Sequence, residues 1–290
     1  MKPARFEYAA PRTEDEALDV LARHGDRAKL LAGGQSLIPL MNFRLAQPEV
    51  VVDINRLADL AYVRADDGGL VIGALTRQHA LERDAAVRAR LPILTEACHL
   101  IGHLPIRHRG TVGGNLAHAD PASELPAVMV ALGAEMVAVS RRGRRSIAAE
   151  QFFTGPLTTA LQSEELLAEI RVPGMPARSG GAFVEMSRRA GDYALVGVAA
   201  LVTLDPSGRC ARARLALCGA GATPVRATEA EGVLSGERLE GRVVDEAARR
   251  AAEATRPPSD IHASAAFRRK LARHFVREAI ALAAKRAGGA

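Results

Sequence analysis

Two glycine pairs carry the clearest chemical signal in the chain. One is Leu31-Ala32-Gly33-Gly34-Gln35-Ser36-Leu37 and the other Thr111-Val112-Gly113-Gly114-Asn115. A glycine pair reaches backbone conformations closed to other residues and lets a ligand come against the main chain. Successive amides in such a turn form a concave anion site. Ser36 and Thr111 add hydroxyl donors, while Gln35 and Asn115 add amide donors. Two such turns could hold both phosphates of a dinucleotide; alternatively, each is only a tight turn. On the ligand reading, valine at any of the four glycines should cost ligand affinity more than fold stability. Neither turn matches G-x-G-x-x-G or the P-loop, so a Rossmann site and a Walker NTPase are unsupported.

Other chemistry is sparse. His99, His103, His108 and His118 lie close in sequence, but their spacing fits no common ligand set, and they read as loop donors or helix-surface residues. The three cysteines, Cys98, Cys210 and Cys218, form no C-x-x-C pair. A disulfide framework, a zinc ribbon and a self-contained iron–sulfur cluster are therefore not expected. Arg141-Arg142-Gly143-Arg144-Arg145 is either a solvated hairpin tip or an anion or partner patch. The net charge of +6 leaves nucleic acid open. Aromatics at 3% with no Trp argue against stacking platforms for single strands. No apolar signal core opens the chain, and no uncharged run of about 18 apolar residues occurs. The expectation is a reduced, soluble, cytoplasmic protein with no membrane span.

At 290 residues, 48% hydrophobic and 25% charged, the chain can form one large domain or two to three smaller ones. Thr13 and Glu16 make a capping-box start for a helix to about 24, stopped by Gly25. Strands are expected over 29–32, 50–54 and 70–75, a helix over 92–100, and an irregular stretch over 101–121. Ser123 caps a helix to about 132. A hairpin over 135–140 and 145–148 and a strand over 166–172 follow. The Pro/Gly-rich segment at 173–176 is the boundary candidate. Beyond it come antiparallel strands over 183–187, 196–204 and 212–217, then helices over 242–255 and 264–285. The last helix carries an apolar period in Phe267, Leu271, Phe275, Ile280 and Leu282.

With their flanks, Lys29–Ser36 and Thr111–Pro121 resemble the FAD-binding medium subunit of molybdenum hydroxylases, the group of carbon monoxide dehydrogenase, xanthine dehydrogenase and related N-heterocycle dehydrogenases. Arg188-Arg189-Ala190-Gly191-Asp192-Tyr193-Ala194 resembles a third motif, and Phe267–Ala272 the C-terminal helix. The motifs occur in the expected order across essentially the whole chain. The resemblance implies an α+β fold: a two-lobed, vanillyl-alcohol-oxidase-like FAD-binding domain over 1–176, with lobes about 1–60 and 61–176. A C-terminal flavoprotein domain over 177–290 follows, with a three-stranded antiparallel sheet and helices.

It also implies roles. Lys29, Leu30, Leu31, Ala32, Gly33, Gly34, Gln35 and Ser36, with Thr111, Gly113, Gly114 and Asn115, would form the cradle for pyrophosphate and ribityl groups. Ile101 and Gly102 would line the flavin ring. Glu124 stands where relatives commonly have an Asp on a sugar hydroxyl, and reaches one methylene further. Leu167 would lie beside the adenine, and Tyr193 would shield the isoalloxazine. Glu185 stands where some relatives carry Lys. Apart from the resemblance, Asp120 reads as orienting the Asn115 loop rather than touching ligand. No catalytic residue or metal ligand is expected in this chain.

The implied function is that of an oxidoreductase subunit. A molybdenum-cofactor large subunit oxidises the organic substrate, electrons pass through a small subunit with [2Fe–2S] clusters, and FAD in this chain relays them to an external acceptor. The implied assembly is a dimer of heterotrimers. One alternative is a stand-alone FAD-dependent reductase or oxidase of the same fold. Another is a non-enzymatic basic protein that binds nucleic acid.

Overall fold

The structure, a computed structural model, describes residues 2–289. The first lobe is a parallel sheet of β1 (Glu7–Ala9), β2 (Ala28–Leu31) and β3 (Val50–Asp53), in the order β1-β3-β2. Between β1 and β2 runs α1 (Glu14–His24). Its start forms as the sequence indicates: the Thr13 side chain accepts from Glu16 N, and Glu16 reaches back to Arg12 N at 2.7 Å. Gly25 ends it at φ +52°. The first glycine pair joins β2 to α2 (Leu37–Asn42), a short helix that the sequence reading does not anticipate.

The second lobe opens with β4 (Val63–Asp66) and β5 (Gly69–Gly73). A helical layer follows: α3 (Gln78–Arg83), α4 (Ala85–Arg90), α5 (Pro92–Leu100), α6 (Leu104–Arg109), α7 (Val112–His118) and α8 (Glu124–Leu132). Then come β6 (Glu135–Ser140), β7 (Gly143–Ala148), α9 (Ala149–Phe152), the small hairpin β8 (Phe153–Gly155) and β9 (Thr158–Thr159), and β10 (Leu166–Val172). The main sheet has the order β4-β5-β10-β6-β7 with antiparallel neighbours. The stretch expected to be irregular holds α6 and α7 instead. α6 carries Arg107, His108 and Arg109, α7 carries the Gly113-Gly114 pair, and both are too brief to show an apolar period.

The C-terminal region has four antiparallel strands where three were expected: β11 (Ser179–Ser187), β12 (Ala194–Leu204), β13 (Cys210–Cys218) and β14 (Val225–Arg226). The extra strand is two residues long, too short to leave a pattern. One sheet face carries α10 (Thr228–Leu234), α11 (Gly241–Ala254) and α12 (Ala265–Ala287), whose apolar side packs with Val196, Val198 and Leu215. The other face packs on α8, all of whose residues are buried. A helix apolar all round suits a place between two layers. Arg214 on β13 fixes this contact by donating to the last α8 carbonyls, Ala131 O at 2.7 Å and Val130 O at 2.8 Å.

The basic cluster is a hairpin tip whose charge is met within the chain. Arg141 bonds Asp15 and Asp19 on α1, and Arg145 bonds Glu165 at 2.6 Å. Arg142 pairs with Glu164 and Arg144 with Glu14. The two lobes are thus tied at the hairpin. Among the described residues, no helix is long and apolar enough to cross a membrane.

Candidate functional site

A cleft of about 630 Å³ runs between the two lobes and reaches the edge of the C-terminal region. Every residue expected at the site lines it except Leu31. Leu31 lies beneath the first turn, its Cδ1 3.2 Å from where a Cβ on Gly34 would stand.

The first glycine pair makes the anion-ready part of the cleft. Gly34 takes φ +73°. Among the described residues, the amides of Gly33, Gly34, Gln35 and Ser36 donate to no protein acceptor. Four successive unused donors at a polar turn form the concave site expected of such a sequence. The turn is braced from behind. Gln35 donates to Gly33 O at 3.2 Å, and Asn55 Nδ2 to Ala32 O at 2.8 Å. Arg77 donates to Asn55 Oδ1 at 2.7 Å and, through its other nitrogen, to Arg109 O. Burial holds the Arg77 guanidinium below its ordinary pKa. The sequence reading missed Asn55 and Arg77. The available signal was Asn55 placed just past the end of β3, where ligand-facing groups of parallel sheets collect.

The second glycine pair does a different job. It is the first turn of α7, with Thr111 as N-cap accepting from Gly114 N at 3.0 Å. Val112 N donates to Thr76 O, Gly113 N to Ala74 O and Asn115 N to Thr111 O. No free nest of amides exists there, which corrects the symmetrical reading of the two turns. Gly113 is required by packing, since a Cβ would stand 2.4 Å from Ala74 Cβ. Gly33 likewise faces protein: its Cβ would lie 2.5 Å from Arg109 O. Valine at either position therefore strikes the fold itself, against the expectation that it would cost affinity more than stability. What α7 offers the cleft is side chains. Asn115 Oδ1 accepts from Ser123 Oγ at 2.9 Å, and its NH₂ group has no acceptor among the described residues. Asp120 accepts from Ala122 N through Oδ1 and from Ser123 N through its carbonyl, holding the turn that delivers Ser123.

The remaining expected residues form walls and mouth. Leu167 and Ile101 are buried apolar wall, and Gly102 takes φ +49° against Ile106. Lys29 and Leu30 border the first-lobe side. Tyr193 stands at the mouth, 60% exposed. Its loop packs on His103, whose ring would be 2.4 Å from a Cβ on Gly191. Glu124 is buried in the cleft wall, and burial first, then Glu185 and Asp120, push its pKa up to about 8. Glu185 lies outside the lining, and burial raises it to about 7. His118 also lines the cleft, with burial lowering its pKa. His99 contacts Glu82 at 2.9 Å, and His108 stacks on His79. Among the described residues, no group of three or more His, Cys, Asp or Glu could hold a metal ion.

Comparison with known proteins matches residues 4–175 to the family model described as the FAD binding domain in molybdopterin dehydrogenase. Residues 181–283 match the CO dehydrogenase flavoprotein C-terminal domain. The 6-hydroxypseudooxynicotine dehydrogenase complex subunit alpha of Paenarthrobacter nicotinovorans is 44% identical, over 99% of this chain and 97% of its own. The carbon monoxide dehydrogenase medium chain of Afipia carboxidovorans is 39% identical over 99% of both. Among solved structures, carbon monoxide dehydrogenase from Hydrogenophaga pseudoflava superposes with a TM-score of 0.96 at 39% identity, covering 99% of each chain. Quinoline 2-oxidoreductase from Pseudomonas putida 86 does so with 0.93 at 38%, again over 99% of each.

Proposed function

The chain belongs to the family of FAD-binding medium subunits of molybdenum hydroxylases, and from that premise we propose how its residues hold the cofactor and how it is built into its enzyme. It is an oxidoreductase subunit whose cofactor is FAD. The FAD, when bound, supplies electron acceptance and delivery; this chain supplies binding, shielding and electrostatics.

The free amides of Gly33 to Ser36 carry the assignment. They would take the pyrophosphate, with Lys29, Leu30 and Ala32 bordering that end and Leu31 supporting it from below. Thr111 and Asn115 would offer side-chain polar contacts, while Gly113 and Gly114 allow α7 to begin where it does. Ile101, Gly102 and Leu167 would line the apolar parts, Glu124 a sugar hydroxyl, and Tyr193 the exposed flavin edge. The cleft volume is in the range of pre-formed cofactor sites. The division at 176/177 and the first-lobe limit near residue 60 belong to this reading. Supporting them are the C-terminal core between the sheet and α10–α12, the parallel sheet confined to residues 7–53, and the Pro/Gly-rich segment between β10 and β11.

The partners are a molybdenum-cofactor large subunit and a [2Fe–2S] small subunit, in a cytoplasmic dimer of heterotrimers. The three cysteines are all buried and free, so the clusters that feed the flavin lie in another chain. Residues 101–109 are the candidate rim for that docking, with Leu104 48% exposed beside the cleft mouth. Co-purification followed by metal analysis tests the assembly. Heat or acid should release a yellow, non-covalent FAD. Failure of FAD to bind under native conditions, with partner subunits present, overturns the assignment.

A further inference from the structure

Glu124 and Glu185 both stand at the seam between the cleft and the C-terminal sheet, where Glu185 acts on Glu124 as a like charge. Glu124 opens α8, is 3% exposed and lines the cleft. Glu185 on β11 pairs across to Gly197 on β12, which pairs across to Cys218 on β13. Alternation along β11 puts Glu185 on the sheet face of Phe183, the face packed against α8. Gly197 opens the slot: a Cβ there would stand 2.7 Å from Cys218 Sγ and 3.3 Å from Glu185 Cβ. Within this slot, Glu185 Oε2 is enclosed without a hydrogen-bond partner.

Among the described residues, no cation acts on the two carboxyls. The charged groups acting on Glu124 are Glu185 and Asp120, both acidic, and its own amide is its only hydrogen-bond donor. On Glu185 only burial acts. The other titratable neighbours are the buried thiols Cys98 and Cys218 and the phenol of Tyr193, each feeling Glu124 as a like charge. Two buried carboxyls without a counter-charge do not both ionise, and they titrate as a pair. A protonated carboxyl is also a donor, which makes an enclosed oxygen tolerable.

We infer that Glu124 and Glu185 form a proton-holding carboxyl pair that takes up a proton when the anionic cofactor fills the cleft. The inference rests on the FAD assignment above. The cofactor's pyrophosphate brings negative charge into a partly desolvated site, where repulsion of a carboxylate is strong. Binding therefore favours the protonated pair, and one-proton linkage weakens FAD binding by up to about tenfold per pH unit between the pair's midpoint without FAD and its raised midpoint with FAD.

Infrared spectra of the full chain, titrated from about pH 6 to about pH 9, read the pair directly. The wild-type chain should show a protonated-carboxyl C=O band that disappears across this range. Glu124→Gln and Glu185→Gln, checked for folding by circular dichroism, should each remove one titrating carboxyl, and Glu185→Gln should also lower the midpoint of Glu124. A band that does not titrate, or folded variants that leave it unchanged, overturns the pair; the wild-type titration decides even if a variant fails to fold. Adding FAD should raise the midpoint. FAD that binds with pH-independent affinity and an unmoved midpoint overturns the coupling. If FAD binds neither the chain nor its complex, the cofactor assignment and the coupling both fall, while the infrared titration without FAD still judges the pair.

Discussion

Gly33→Ala separates the two jobs that glycines perform at the cleft. The new Cβ would stand 2.5 Å from Arg109 O and 2.8 Å from Gly110 Cα. Ordinary carbon–oxygen contact begins near 3.3 Å, so the two loops must part by about 0.8 Å. Neither neighbour is a flexible side-chain tip. Arg109 O is held by Arg77, and Gly110 O accepts from Gln78 N at 2.9 Å. The cost falls toward the upper part of the overpacking range, about 2–3 kcal/mol. Chemical denaturation of the FAD-free chain should show that loss. Parting the loops also moves the free amides of Gly33 to Ser36 away from Asn115, so FAD affinity read by flavin fluorescence should fall about tenfold or more, equivalent to ~1.4 kcal/mol. Gly232→Ala is the control: it lies in α10 with no heavy atom near its Cβ position, and should gain about 0.5–1 kcal/mol. A Gly33→Ala chain within about 0.5 kcal/mol of wild type would refute the loop contact.

Asn55→Ala removes the brace on Ala32 O and a partner of Arg77; denaturation should show a loss of about 1–2 kcal/mol together with weaker FAD binding. Tyr193→Ala should change stability by less than about 0.5 kcal/mol, because the side chain is 60% exposed, yet raise iodide quenching of bound flavin; unchanged quenching would remove Tyr193 from the flavin edge. The bonded Arg145 guanidinium holds Glu165 below the usual carboxylate range. That contribution is present above the unfolded carboxylate pKa and lost as pH falls through the folded one, so Arg145→Ala should flatten the acid limb of a Tm-against-pH curve. The isolated chain should retain flavin redox chemistry without dehydrogenating any organic substrate. Turnover with no molybdenum or iron present would replace the relay with a stand-alone flavoenzyme.

Legibility followed the range of the interactions involved. The start of α1 could be read because Thr13 and Glu16 act within one turn. α5 begins at Pro92, as read, β3 announces itself as a β-branched apolar run, and β10 as a largely apolar stretch broken by Glu169 and Arg171. α6, α7 and β14 were not legible, being too short for periodicity to register. The site shows the same division. The residues flanking the glycine pairs lie along the chain, and all but Leu31 and Val112 line one cleft. Asn55 and Arg77 reach the site only because β3 lies beside β2 and because Arg77 bridges to Thr111. No local pattern encodes that adjacency.

The two glycine pairs state the limit most sharply. Both read as tight turns with polar flanks, and both reach the cleft. Gly34 has a positive φ and lies in a run of unused amides that begins at Gly33; Gly113 has the amides around it committed and serves to let α7 touch Ala74. The difference arises from what lies behind each pair. The first faces Asn55 and the Arg109 carbonyl, so its donors stay free toward the cleft. The second faces the Ala74 and Thr76 carbonyls just past β5, which take the Gly113 and Val112 amides, while Thr111 takes those of Gly114 and Asn115 in building the wall. A local motif can therefore specify that backbone comes close to a ligand, while the partner strand decides whether that backbone binds the ligand or shapes the space around it.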